Sequence, residues 1–137
     1  MTKQLILHNQ VEQISQLEGF ISEIADETGM DPALAMSMNL ALEEAVTNVV
    51  LYAYPEGTDG EVNIDARFDK GILTFVLKDS GVPFDPTAKE DADITLGIEE
   101  RPIGGLGIFL VKQLMDTVSY NYSDGCNILT MTKKLQS

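Results

Sequence analysis

ALEEAVTNVVLYAY, residues 41–54, combines a helical pattern with two polar residues one turn apart. Ala, Leu and Val dominate and no Gly or Pro interrupts, which favours a helix. On that helix one apolar stripe is formed by Leu42, Val46, Val49, Val50 and Ala53. Glu44 and Asn48, four positions apart, lie together on another face. A carboxylate there can accept a proton and an amide oxygen can bind Mg²⁺, although the pattern also fits an ordinary solvated helix face.

The segments before this stretch predict how the helix begins. Residues 10–28 carry apolar side chains at helical spacing, and Gly29 follows where a first helix can end. Asp31 and Pro32 then suit the N-cap and first turn of a second helix. We expect this second helix to continue to about Tyr54, so the opening stretch forms its C-terminal half.

The other periodic segments predict a sheet. Residues 61–68 alternate apolar and polar side chains, and Lys70-Gly71 turns the chain into the more apolar residues 72–79, as in a hairpin. The remaining predicted elements are a strand at 3–8, a helix at about 105–115 and a final hairpin of strands at 117–122 and 127–135. This order predicts an α+β two-layer sandwich, with helices on one face of a mostly antiparallel sheet.

A second motif, KDSGVPFDP at residues 78–86, follows the first hairpin. Asp79 stands where a strand ends, and Gly81 allows the backbone to approach another group closely. An aspartate in that place can accept a hydrogen bond from an exocyclic amine such as that of adenine. Asp-Ser-Gly with Pro is also ordinary turn chemistry, so this motif alone leaves both interpretations open.

A third motif, RPIGGLGIFLVKQLMD at residues 101–116, places glycines before an apolar helix. A glycine-rich helix start offers unpaired N–H groups and the positive end of the helix dipole, which suit phosphate. The motif is neither a Walker A loop nor a dinucleotide-binding fingerprint. The alternative is a hinge before a core helix. The preceding segment is long and rich in Gly and Pro, which indicates a functional or disordered loop.

Composition excludes several kinds of site. The 137 residues suffice for one domain with a core. Nine basic and 22 acidic residues give a net charge of −13, which disfavours nucleic acid and anionic membranes as partners. With Cys126 and His8 the only cysteine and histidine, disulfides, Ser-His-Asp triads and multi-histidine metal sites are excluded within the chain. Neither a signal peptide nor a long apolar run is present, so we expect a cytoplasmic protein.

Taken in order, the three motifs resemble the N, G1 and G2 boxes of the GHKL ATPase superfamily, which includes gyrase, Hsp90, histidine kinases and MutL. The resemblance is closest to the anti-sigma-factor serine/threonine kinases of the RsbW and SpoIIAB type. It is carried by EAVTN with the trailing AYP, DSGVPFDP, RPIGGLGIFLVKQLMD and the closing DGCNILTMTKKL. It covers about residues 10–135. It implies the Bergerat type of sandwich and a single histidine-kinase-like ATPase domain over residues 1–137.

The resemblance implies roles for individual residues. In such proteins the glutamate of E-x-x-x-N is the general base and the asparagine binds Mg²⁺, and these positions match Glu44 and Asn48. The aspartate that binds the adenine amine corresponds to Asp79, and the glycine that approaches the base corresponds to Gly81. The positions that match the end of the ATP lid near the phosphates are Gly104, Gly105, Leu106 and Gly107. The implied cofactors are ATP and Mg²⁺.

Further positions follow from the same resemblance. The ATP lid would span about residues 86–103, where Arg101 could offset phosphate charge. Related kinases often carry histidine at the position of Tyr52. Many superfamily members place a threonine of the last hairpin near adenine, and the nearby residues here are Cys126, Thr130 and Thr132. We take Thr130 as the predicted cofactor-binding residue.

The implied reaction is phosphoryl transfer from ATP to a Ser or Thr of an antagonist protein. Glu44 would accept the hydroxyl proton while Mg²⁺ and backbone amides hold the phosphates. The implied partners are a sigma factor, a STAS-type anti-sigma-factor antagonist and a second copy of the chain. The alternatives are a nucleotide-gated binding module without phosphotransfer, an ATP hydrolase, and an interaction domain that binds no nucleotide. We expect Mg²⁺–ATP to stabilise the protein more than Mg²⁺–GTP.

Overall fold

A computed structural model describes residues 1–55, 57–86 and 105–135, with side chains in the last range from Ile108 onward. The strands are β1 (Thr2–His8), β2 (Glu61–Asp69), β3 (Ile72–Asp79), β4 (Thr117–Ser123) and β5 (Cys126–Lys134). They form one sheet in the order β1-β2-β3-β5-β4, and each neighbouring pair is antiparallel. The helices are α1 (Gln16–Thr28), α2 (Pro32–Asn48) and α3 (Gly105–Leu114). The predicted element order is confirmed.

The two faces of the sheet differ sharply in polarity. One row of paired residues on the inner face is buried and consists of Ile64, Leu77 and Leu129. The next row, on the outer face, is exposed or half-buried and consists of Asp65, Val76 and Thr130. Because alternate residues of a strand point to opposite faces, the helices need to cover only the inner side.

All three helices contribute to the core on that inner face. The shared core cluster includes Leu17 and Ile24 of α1, Leu42 and Val46 of α2, and Ile108 of α3. These positions follow the helical spacing that predicted an apolar stripe. The two-layer arrangement is therefore confirmed, with every helix packed on the same side of the sheet. In the described ranges, no helix has the length and apolar character needed to cross a membrane.

Turn and cap residues end the elements as expected. Asp31 accepts a hydrogen bond from the Leu34 backbone N–H at 2.8 Å and so caps α2. Gly29 has a φ of 76° at the end of α1, a conformation that glycine adopts without strain. Lys70 and Gly71 both have positive φ, which matches the twist required by a two-residue hairpin turn.

Two helix boundaries differ from the prediction. The first helical segment begins with a 3₁₀ turn, Val11–Ser15, before α1. The second is α-helical only to Asn48 and continues as one π turn, Val49–Ala53. The carbonyl of Ala53 accepts a hydrogen bond from the Val82 N–H at 2.7 Å. The π turn therefore joins the end of this helix to the loop after β3, a tertiary contact that helical periodicity does not reveal.

Candidate functional site

A narrow cavity lies where the end of α2 meets the ends of β3 and β5. Its walls are formed by Ala45, Asn48, Val49, Leu77, Asp79, Phe84, Pro86, Tyr120, Asn127 and Leu129. The space inside is about 10 Å³, room for roughly one water molecule. A purine base can therefore enter only if part of the wall moves. Phe84 and Pro86 belong to the loop after β3, which lacks the regular hydrogen bonding of the sheet.

A much larger hollow lies elsewhere. It is a groove of about 960 Å³ between α1 and α2, lined by side chains that include Ile21, Met36 and Leu40. Of the predicted site residues that the structure describes, none lines it. Size alone therefore does not identify the candidate site, whereas the narrow cavity brings together Asn48 and Asp79, two of the polar residues that the motifs indicated.

Asp79 is the last residue of β3 and is only 4% exposed. Its Oδ1 accepts hydrogen bonds from the Gly81 backbone N–H and from Asn127 Nδ2, both at 2.9 Å. Burial raises the pKa of this carboxyl group above its ordinary value, and the two hydrogen bonds oppose that rise. Asp79 is therefore a buried acceptor whose orientation is held by the protein.

Gly81 makes the close backbone approach that its sequence context predicted, although the group it approaches is part of the protein. A Cβ at this position would lie 2.3 Å from the carbonyl oxygen of Ala53. Tyr54 supports the same region, because its hydroxyl accepts from the Ser80 N–H at 3.1 Å and donates to the Glu61 carbonyl at 2.8 Å. These contacts fix the backbone that follows Asp79.

Asn48 is the last residue of α2 and is 3% exposed. Its Nδ2 is buried and has no hydrogen-bond partner, an arrangement that costs free energy unless something satisfies the amide. A 180° rotation of the amide would place Oδ1 where Nδ2 now lies. The residue therefore fits the role of a ligand for a hard cation, which usually takes few protein ligands and several waters. The described residues hold no group of three or more His, Cys, Asp or Glu that could bind a metal ion.

Glu44 lies one helical turn before Asn48 and is half-buried. It does not belong to the residues that line the cavity. The structure thus brings Asn48 and Asp79 into one cavity and places Glu44 on α2 beside it. In this conformation Asn48 and Asp79 therefore line the cavity, whereas Glu44 does not.

Several predicted residues lie at or beyond the limit of the description. Arg101, Gly104 and positions 87–103 of the predicted lid are outside the described residues. Gly105, Leu106 and Gly107 form the first turn of α3, so a helix does begin within the glycine-rich motif. Their proposed contact with phosphate remains a prediction.

The structure does not bring Thr130 to the site. The residues of β5 that point inward are Asn127, Leu129 and Met131, all of them buried. Thr130 lies between two of these and pairs with Val76 and Ser119 on the outer face. The same alternation places Cys126 and Thr132 on the outer face. The choice of Thr130 as a cofactor-binding residue is therefore wrong for this cavity.

Asn127 and Tyr120 are the polar cavity residues that sequence reasoning missed. Asn127 pairs directly with Asp79 across β3 and β5. Its Nδ2 also donates to the Val82 carbonyl at 2.8 Å. Its Oδ1 accepts from the Phe84 N–H at 2.9 Å and from the Tyr120 hydroxyl. Counting alternate positions back from Leu129 and Met131 would have revealed a polar residue on the apolar face.

Tyr52, at the position where related kinases often carry histidine, packs against the loop after β3. Its ring stacks on that of Phe84, with centroids 5.3 Å apart and planes 25° apart. Burial raises the pKa of the Tyr52 hydroxyl. The π turn and the loop that forms one wall of the cavity are thus joined by an aromatic pair.

Comparison with known proteins agrees with this fold. A family model described as the histidine kinase-like ATPase domain matches residues 7–133. The serine-protein kinase RsbW of Listeria monocytogenes serovar 1/2a is 33% identical over 117 residues, which cover 82% of this chain and 74% of that protein. RsbW of Bacillus cereus strain AH187 is also 33% identical over 117 residues, covering 82% of this chain and 72% of that protein.

A solved structure supports the fold. The crystal structure of the RsbU and RsbW domains of Rv1364c from Mycobacterium tuberculosis matches with a TM-score of 0.70 and 16% identity. The match covers 98% of this chain and 32% of that longer chain. The prediction of a Bergerat-type sandwich is thereby confirmed. The chain belongs to the histidine kinase-like ATPase family and, within it, to the group of RsbW proteins.

Proposed function

We propose that this protein is an ATP-dependent anti-sigma factor with serine/threonine kinase activity, which phosphorylates an antagonist protein and sequesters a sigma factor. The observation that carries the proposal is one cavity with two buried polar residues, Asn48 and Asp79. One of them has an unsatisfied amide and the other is an oriented carboxylate. The names of the similar RsbW proteins support the kinase assignment.

Asp79 would recognise the adenine base. Two protein donors already occupy its Oδ1, which leaves Oδ2 to accept a hydrogen bond from the 6-amino group. A purine with a carbonyl at that position would place an acceptor against an acceptor, which is unfavourable in a buried site. The carboxylate would therefore select adenine over guanine or hypoxanthine.

Asn48 would hold the metal ion at the other side of the cavity. Rotation of its amide would place an oxygen ligand at the position where the unpartnered Nδ2 now lies. Bound Mg²⁺ supplies neutralisation of the phosphate charge. The backbone N–H groups at the start of α3 would bind phosphate oxygens, as exposed helix N-termini do.

Glu44 would act as the general base for the hydroxyl of the protein substrate. No hydrogen bond or salt bridge engages its carboxylate within the described residues. Its place one turn from Asn48 would put it next to the metal-bound phosphates. A base there removes the hydroxyl proton as the phosphoryl group is transferred.

Replacing Glu44 with Gln tests this assignment. We expect Glu44→Gln to bind Mg²⁺–ATP with nearly unchanged affinity and to lose about 10²- to 10⁴-fold in phosphotransfer rate, because only the base is removed. The measurement is transfer of labelled phosphate to the antagonist protein under single-turnover conditions, with phosphosite mapping. Unreduced transfer in Glu44→Gln would contradict its role as base.

Glu43 offers a matched control. It is the neighbouring glutamate of α2, and its Oε1 accepts a hydrogen bond from Asn39 at 2.6 Å. Because it faces the groove between α1 and α2, Glu43→Gln is expected to leave the transfer rate within about twofold of wild type, well below the change of a lost base.

A nucleotide-gated binding module without phosphotransfer is the second candidate. The observation in its favour is that Glu44 does not line the cavity. Such a protein would bind Mg²⁺–ATP and change its affinity for a protein partner, yet the wild-type chain would transfer no phosphate in the assay above.

A further inference from the structure

We propose that Asn127 is the positioning residue for adenine selection. It orients the Asp79 carboxylate and ties that carboxylate to the loop that closes the cavity. The inference rests on the proposed function, because it concerns how the same cavity distinguishes one nucleotide from another. The role differs from that of a residue touching the reacting atoms, since Asn127 acts through Asp79.

The hydrogen bonds of Asn127 leave its amide group one orientation. Val82 offers a carbonyl, which can only accept, and Phe84 offers a backbone N–H, which can only donate. Nδ2 must therefore face Val82 and Oδ1 must face Phe84. In that orientation Nδ2 donates its second hydrogen to Asp79 Oδ1, and the two heavy atoms are 2.9 Å apart. The backbone of the loop thus determines that Asp79 receives a donor.

The amide is also fully used and well buried. Asn127 is 4% exposed, and its two donors and its acceptor oxygen all have partners, the last including the Tyr120 hydroxyl. A buried polar group with complete hydrogen bonding is held rigidly, because each lost bond would leave a group unsatisfied. Neither Ala nor Asp can replace it, since Ala forms none of these bonds and an ionised Asp has no donor.

The hydrogen bonds of Asn127 connect recognition of the base to entry of the nucleotide into the cavity. The cavity is too small for a purine, and Phe84 is part of its wall. The residue that orients Asp79 is the same one that binds the Phe84 N–H and the Val82 carbonyl. If the loop moves when a nucleotide enters, the hydrogen bonds that the Asn127 amide makes with Val82 and Phe84 are strained. The same amide orients the Asp79 carboxylate, so entry of the nucleotide and selection of adenine both depend on Asn127.

The test compares ATP with ITP, which carries a carbonyl in place of the 6-amino group. Calorimetry at constant Mg²⁺ would give both dissociation constants for wild type and for Asn127→Ala, Asn127→Asp and Asn127→Thr. We expect Ala and Asp to weaken ATP binding by about ten- to a hundredfold with a much smaller change for ITP. Thr has one hydroxyl donor for Asp79, so it should recover most of the preference for ATP.

Asn121 provides a matched control of the same residue type. It is exposed and lies on the outer face of β4, opposite Ile128. Asn121→Ala should bind ATP and ITP as wild type does.

A second readout requires no nucleotide. Hydrogen exchange of the Phe84 amide should accelerate in Asn127→Ala, because one of its two acceptors is removed and only the Tyr120 hydroxyl remains, and should not change in Asn121→Ala. Thermal unfolding of each variant shows whether it folds. If Asn127→Ala does not fold, Asn127→Asp and Asn127→Thr carry the same comparison with a side chain of similar size.

The outcomes separate the inference from the proposed function. If wild type prefers ATP and the Ala and Asp variants keep that preference, or lose ATP and ITP binding equally, the positioning role is overturned. If wild type binds ATP and ITP equally or binds neither, the proposed function fails and the positioning role fails with it. A lost preference that Thr restores, together with faster Phe84 exchange in Asn127→Ala, supports the inference.

Discussion

At the scale of single residues, Asp79 is a charged side chain in a place where burial is costly. A carboxylate at 4% exposure is poorly solvated, and two donors among the described residues, the Gly81 N–H and Asn127 Nδ2, partly offset that burial. An amide of the same shape would avoid the cost of burying charge. A carboxylate at this position is what the proposed recognition of adenine requires, since an amide would present a donor to the 6-amino group.

Asp79→Asn should reverse the nucleotide preference. Its Oδ1 can still accept from Asn127 and Gly81, while its Nδ2 would face the cavity as a donor. We expect ITP to bind better than ATP, with the ratio changed by at least about tenfold relative to wild type. Competition binding of the two nucleotides measures it. A variant that still prefers ATP would show that Asp79 does not contact position 6 of the purine.

The pH dependence of stability gives an independent check on the burial of Asp79. Because burial raises its pKa in the folded state, the folded protein binds this proton more tightly than the unfolded chain does. Stability due to this group therefore falls as pH rises from the ordinary aspartate pKa through the raised one. Urea unfolding should show Asp79→Asn gaining stability relative to wild type across that interval and not below it. A difference independent of pH would contradict the shift.

At the scale of elements, the site depends on the junction between the π turn Val49–Ala53 and the loop after β3. The Ala53 carbonyl binds the Val82 N–H, and Gly81 lies against that carbonyl without room for a side chain. Insertions of this kind are frequent near functional sites. The junction holds α2, with Asn48 at its end, in place against the end of β3.

Gly81→Ala should weaken this junction. The added Cβ would meet backbone atoms that cannot rotate away, so we expect a loss of roughly 1–3 kcal/mol in the free energy of unfolding, together with weaker ATP binding. Gly19→Ala is the matched control, because a Cβ added there would meet nothing within 4 Å and the residue stands on the exposed side of α1. It should gain up to about 1 kcal/mol. Equal effects of the two substitutions in urea unfolding would contradict the close approach at Gly81.

At the scale of the whole molecule, repulsion between the many negative charges affects stability more than individual ion pairs do. The net charge is −13. The surface salt bridges of Lys3 with Glu27 at 3.0 Å and of Lys133 with Asp116 at 3.6 Å, both within the described residues, offset little of the repulsion. A compact chain with such an excess of one sign is destabilised by self-repulsion.

Added salt should therefore stabilise the nucleotide-free protein. We expect the urea midpoint to rise as the Debye length is shortened from about 30 Å to about 10 Å, because repulsion is screened more than the exposed ion pairs are weakened. Sodium and potassium chloride should act alike if screening is the cause. A falling midpoint would mean that attractive pairs outweigh the repulsion.

Much of the fold could be predicted because its signals are local. Alternation along residues 61–68, the Lys70-Gly71 turn, and the Asp31-Pro32 helix start each depend on neighbours in sequence, and the structure confirms all three. The π turn was missed because helical spacing alone does not distinguish it from a continuing α-helix. Its carbonyl at Ala53 is used by a residue far along the chain, which no local pattern reveals.

The site was only partly predictable. Glu44, Asn48 and Asp79 stood out as polar residues in special places, yet the wrong face of β5 was chosen for Thr130. A shift of one residue in the pairing register moves every side chain of a strand to the opposite face. Choosing the inward-facing residues of β5 therefore required knowledge of the pairing that places Asn127 opposite Asp79.

The order of helices and strands, the apolar faces and the candidate polar residues of α2 and β3 were already determined by the amino-acid sequence, since periodicity and turn chemistry act over a few neighbouring positions. The tertiary structure alone decided which residues share the cavity. Asp79 and Asn127 are 48 positions apart and meet only because β3 and β5 pair, and burial on that paired face is what gives their hydrogen bonds the strength to orient a carboxylate.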